Sequence, residues 1–272
     1  MADAVLLLHA HVLEASHQAK EAIMSIFQNG GVDYDPAQYG KNRPGRMMLV
    51  DQYFKEWESR QLYKGPPQEY QIPPNICLSR QVGVGALEVA DLLSQDLGLP
   101  VVDKMILDII CESKQLTEKT VQIFDERRPG LSMELSSWLF GEKSFISGDY
   151  SRELLRAVAA IAGLGPNIFL GRGAYLLLPR NRTLAVRLVG SREYRSRRIA
   201  QIMERELVTE DAVGALERFD REQQGFFKKM FRKKEMTMEE FDLVINREQF
   251  PRASSVTAVI KTAYTEKFKD ES

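Results

Sequence analysis

Three places in the 272-residue chain combine residue types and spacing suited to handling phosphate. The first is "SRQVGVGALEVA" (79–90), where an apolar strand pattern turns into an amphipathic helix pattern across Gly83 and Gly85. Glycine lets backbone approach a ligand closely, and a helix N-terminus offers unpaired N–H groups and a positive dipole end. A di- or triphosphate fits such a nest without any side chain. A standard phosphate loop would add a lysine and a magnesium-binding hydroxyl, but Ala86 and Glu88 stand in those places. A plain tight turn between strand and helix remains the competing reading of this stretch.

The second place is Arg172 in "GRGA" (171–174), directly after the apolar run "NIFLG". A guanidinium between two glycines suits bidentate capture of a phosphate; a surface arginine in a turn has the same sequence. The third is "SREYRSRRIAQIMER", where Arg192, Arg195 and Arg198 follow one another at intervals of three, so that neighbours share a helix face. With Arg218, Asp220, Arg221 and the basic run 228–234, this region carries more basic than acidic residues. Cations of this kind stabilise charge on a transferring phosphoryl group, and a solvated helix laced with ion pairs is the alternative.

The elements that must hold these groups follow from hydrophobic rhythm. From residue 75 onward, short apolar strands at 76–80, 100–103, 167–171, 183–190 and 241–247 alternate with helical patterns. This spacing predicts an α/β domain with a five-stranded, mainly parallel sheet. Ligands in such sheets sit beyond the C-terminal strand ends, where all three candidate segments begin. Ahead of it, residues 1–74 read as a helical extension and linker: helical patterns over 3–28 and 46–62, separated and followed by loops rich in Gly and Pro (29–46 and 63–75). In the second helix Met47, Leu49, Val50, Tyr53, Phe54 and Trp57 recur at near-helical spacing, a face that packs on the α/β domain or on a partner.

Composition narrows the function classes. With 44% hydrophobic and 28% charged residues and a formal net charge of −1, no global field draws the chain to nucleic acid or to an anionic membrane. The run 228–234 offers an RNA contact, but no RNA-binding signature accompanies it. Cys77 and Cys111 lack metal-ligand spacing, and a reducing compartment, the cytoplasm, is expected. The apolar start is interrupted by His9, His11 and Glu14, which argues against a leader or a membrane span. His9, His11 and His17 have no carboxylate cluster to complete a metal site.

Taken in order, "SRQVGVGALEVADLLSQDLGLPVVDKMIL", "FLGRGA", "REYRSRRIAQIMER", "FDREQQGFFKKMF" and "FDLVINR" resemble the cytidylate kinase-like family of P-loop nucleoside monophosphate kinases, over about 76–267. The resemblance implies a P-loop NTPase-like sheet flanked by helices, ATP with Mg²⁺ as donor, and CMP or dCMP as acceptor. It places Gly83, Val84, Gly85, Ala86, Leu87 and Glu88 on the phosphate loop, with Arg80 just upstream as a compensating charge. It places Asp103 and Lys104 on the acceptor side, with Arg172 contacting the acceptor. Arg195 and Arg198 open the arm to the lid, and Asp220 lies in the lid-like stretch. The family pattern reads S-R-x-x-G-S-G-G-R-E, so Ala86 replaces a glycine and Leu87 an arginine; Gly173 replaces an acidic residue. Two expectations result: a nucleoside monophosphate kinase-like enzyme, or a weakly active or inactive nucleotide-binding relative that uses residues 1–74 to engage a partner or itself.

Overall fold

The computed structural model describes residues 45–62, 72–112, 149–205 and 211–271. The candidate helix at 3–28, the loop at 29–44 and the three histidines lie outside the described residues.

Five strands form one sheet: β1 (Asn75–Arg80), β2 (Val101–Val102), β3 (Ile168–Leu170), β4 (Thr183–Val189) and β5 (Leu243–Asn246). Their order across the sheet is β2-β3-β1-β4-β5, and every neighbouring pair is parallel. Burial on both faces explains why the strands read as apolar runs rather than alternating ones. The period of two still sorts the side chains. Ile76, Leu78, Ile168, Leu170, Leu184 and Val186 join one core layer, whereas Cys77, Phe169 and Ala185 join the other.

The first layer is closed by helices α2 (Ala86–Leu97) and α8 (Ala253–Lys267), which pack on each other. Gly98, at φ 68°, ends α2 as its sequence predicts, its N–H reaching the Ser94 carbonyl at 2.8 Å. The second layer contains α1 (Arg46–Leu62), α3 (Lys104–Glu112), α4 (Asp149–Leu164) and the single turn α5 (Ala174–Leu177). Buried Ala157, Ala159, Ala160 and Ala162 pack α4 closely there. Helices α6 (Arg192–Arg205) and α7 (Ala212–Phe231) pair beyond the strand ends, and Asp211 caps α7 through the amides of Val213 and Gly214.

The apolar face of α1 lies on the α/β domain, against α3 and α4. Leu49, Val50, Tyr53 and Trp57 are buried and Phe54 packs at their edge, but Met47 is 60% exposed, one turn off the buried stripe. Polar ends are tied as well: Tyr53 donates to Asn167 Oδ1 at 2.7 Å, and Trp57 Nε1 to the Ala160 carbonyl at 3.3 Å. Burying four such side chains contributes about 1.5–3 kcal/mol each. Among the described residues no helix is long and apolar enough to cross a membrane.

Candidate functional site

β1, β2 and β3 end side by side, and each releases one candidate segment at the same edge. After β1 the chain turns through Gly83 (φ 85°) and Gly85 (φ 67°) into α2, whose N-terminus has no side-chain cap. Gly85 is required twice over: its φ is left-handed, and a Cβ there would strike the Glu88 carboxylate and the Arg198 guanidinium.

Side chains from distant elements pin the carbonyls of this loop. Gln223 Nε2 reaches the Arg80 carbonyl at 3.0 Å, Arg195 Nη1 the Val82 carbonyl at 3.3 Å, and Arg247 Nε the Val84 carbonyl at 3.1 Å. Gln81 is locked to β4, its N–H on the Leu188 carbonyl and its Oε1 accepting from the Gly190 N–H. With alternate carbonyls satisfied from outside, the first-turn amides of α2, which have no partner within a helix, are the groups left for a ligand.

A cavity of about 290 Å³ opens against the loop. It is lined by Arg80, Gly83, Val84, Gly85, Ala86 and Leu87 around the loop, by Asp103, Lys104 and Arg172 beyond β2 and β3, and by Phe219, Phe226 and Phe227 of α7. Arg172 adopts φ 52°, uncommon outside glycine. Its Nη2 lies 2.8 and 2.7 Å from the two Asp108 oxygens, and its guanidinium stacks 4.8 Å from the centre of the Phe226 ring. Tyr150 donates to the same carboxylate at 2.7 Å.

Arg80 and Lys104 make no ion pair among the described residues. Burial depresses the Arg80 pKa, and the charge of Arg172 depresses it further while Asp103 opposes. Lys104 is lowered likewise, by burial first and then by Arg172 and Arg80, against Asp108 and Glu222. Arg172 thus lowers the pKa of both Arg80 and Lys104, and this concentration of positive charge makes the cavity wall favourable to an anion.

Glu88, Arg195, Arg198 and Asp220 sit behind the loop rather than on the cavity wall. Glu88 is buried and meets Arg247 Nη2 at 2.5 Å and Arg198 Nη2 at 3.5 Å. Arg195 forms a bidentate pair with Asp220 at 2.9 and 3.0 Å, zipping α6 to α7, and Arg192 continues this zip to Glu217. Leu87 is buried within the apolar layer of α2 as well as touching the cavity. Gly173 is covered by α7, where a Cβ would run into the Phe231 ring. Sequence reasoning did not find Asp108, Arg247, Glu222 or the α7 phenylalanines. Asp108 follows Lys104 by one helical turn, a usable signal; Arg247 closes "FDLVINR" but nothing local marks it.

An all-parallel sheet in this order, with a glycine loop leading from the central strand into a helix, defines a P-loop-like α/β fold of the kinase type. Residues 75–249 match the cytidylate kinase-like family, and the chain belongs to that family. No curated protein matches it. Among solved structures, an uncharacterized protein from Eubacterium ventriosum superposes with a TM-score of 0.52 at 18% identity, covering 71% of this chain and 98% of that one. Shikimate kinase from Bacteroides thetaiotaomicron aligns over 72% of this chain and 98% of its own at 12% identity, with a TM-score of 0.37, too loose to build on.

Proposed function

We propose that the protein is a nucleoside monophosphate kinase-like phosphotransferase that moves the γ-phosphoryl group of ATP onto CMP or dCMP. The observation that carries this reading is a pair of cations without ion-pair partners among the described residues, Arg80 and Lys104, converging with Arg172 on a cavity walled by the glycine loop. The α2 amides and Arg80 bind the donor phosphates, Arg80 supplying the charge that Ala86 and Leu87 lack. Lys104 and Arg172 hold the acceptor phosphate, and the α7 phenylalanines exclude water. Positioning and electrostatics suffice for phosphoryl transfer, so no nucleophilic side chain is required. Arg195 acts through the loop by holding the Val82 carbonyl, Asp220 by fixing Arg195, and Arg198 by pairing with Glu88 beneath the loop.

The wall fits phosphate groups; it fits a magnesium ion less directly. Glu88 is closed by two arginines, and the Asp103 oxygens are taken by Arg46 and by the Ile106 N–H. Mg²⁺, which neutralises phosphate charge in such reactions, would therefore be held chiefly by the nucleotide and water, as is common for this ion.

A second reading, a nucleotide-binding protein with little or no turnover that engages a partner or a second copy through residues 1–74, is favoured by buried Leu87 and by the α6 arginines' commitment to ion pairs. ADP release from Mg·ATP with CMP, dCMP, UMP, AMP and GMP supplied singly, alongside calorimetric ATP binding, tests both. Turnover confined to CMP or dCMP is the expected result. Binding without turnover selects the second reading, and absence of both overturns the pair.

A further inference from the structure

We propose that Arg46, contributed by α1 from outside the family-matched segment, is a positioning residue of the anion site: it occupies the Asp103 carboxylate so that this carboxylate does not oppose an incoming phosphate. The inference rests on the anion-binding reading of the cavity. Arg46 Nε donates to Asp103 Oδ2 at 3.2 Å, while Asp103 Oδ1 accepts from the Ile106 N–H at 3.1 Å. Asp103 is only 8% exposed and lies on the cavity wall beside Lys104.

Ordinary helix chemistry does not account for the arginine. Arg46 opens α1, whose first turn contains no acidic residue, and a cation at a helix N-terminus opposes the dipole. What the position does supply is reach across to β2, because Tyr53 and Trp57 anchor the rest of α1 in the core. A long side chain on a fixed helix loses little further freedom in pairing, unlike a typical surface ion pair.

The charge count shows the consequence. Arg80, Lys104 and Arg172 line the cavity with Asp103 and Glu222, and Asp108, paired to Arg172 from outside the lining, brings the set to balance. Arg46 tips it to one net positive charge. Removing Arg46 would leave Asp103 free to compete for Arg80, the cation it already attracts.

Calorimetric titration with inorganic pyrophosphate tests this on the full chain in low and high salt. Arg46→Gln is expected to weaken binding about five- to tenfold in low salt, the gap narrowing as salt screens the exposed charge. Arg46→Lys keeps the charge and stays close to the wild type. Arg46→Gln combined with Asp103→Asn returns to wild-type affinity, since asparagine still caps α3 but no longer repels the anion. Asp103→Asn alone binds at least as tightly as the wild type, and this decides the matter even if Arg46→Gln does not fold. Unchanged affinity in Arg46→Gln, no recovery in the double variant, or weaker binding by Asp103→Asn overturns the role of Arg46 while leaving the anion site standing. A wild type that takes up no pyrophosphate overturns the anion site and this inference together.

Discussion

Lys104 is half-buried between two arginines, and its ammonium is held below the ordinary lysine pKa by burial and then by Arg172 and Arg80. A bound phosphate favours the charged form, so anion affinity is complete below that lowered pKa and declines as pH rises through it. The decline is expected at lower pH than a free lysine would give, and Lys104→Arg should extend the plateau upward in a binding titration against pH. Lys104→Met removes one charge-assisted contact and should weaken phosphate binding by about ten- to a hundredfold. At this scale the sequence was partly legible. The glycine pair, Arg80, Lys104 and Arg172 all fall on the cavity wall, because each lies at or just beyond the end of a strand and strand ends share an edge. The commitments of Arg195 and Arg198 were not legible: spacing puts them on one helix face, but the carboxylates opposite, Asp220 and Glu88, come from separate elements.

Three elements meet in the buried cluster of Glu88, Arg198 and Arg247, where α2, α6 and the end of β5 are joined under the glycine loop. Arg247 and Glu88 have essentially no solvent contact, so neither charge is screened. Breaking a buried pair by removing one partner typically costs about 3–5 kcal/mol, because the survivor is left uncompensated. Arg247→Met is therefore expected to lose about that much in urea unfolding, and pairing it with Glu88→Gln should recover part of the loss. Among the described residues, helix and strand positions were read from sequence with small boundary shifts, since apolar period and glycine stops are local signals. The cluster was invisible there: Arg247 and Glu88 are 159 positions apart.

On the scale of the whole molecule, α1 and the sheet share one core layer, in which Trp57 is 2% exposed against α4. Trp57→Ala should cost about 3–5 kcal/mol. Thermal unfolding followed by circular dichroism is expected to show one transition at lower temperature, not a separate early melting of α1. The sequence left the landing place of that helix open between the α/β domain and a partner, because an amphipathic face states that it will be covered but not by what.

The pins on the glycine loop also impose an order in time. Val84 is held by Arg247, 163 positions later in the chain, and the Arg80 carbonyl by Gln223, 143 positions later. During synthesis β1 and the glycines emerge early, yet the pins on the loop are not complete until all of the remaining strands and both α6 and α7 have been made. A nascent or truncated chain would carry the whole glycine motif and still have no grip on phosphate, so ligand affinity reports completion of the fold.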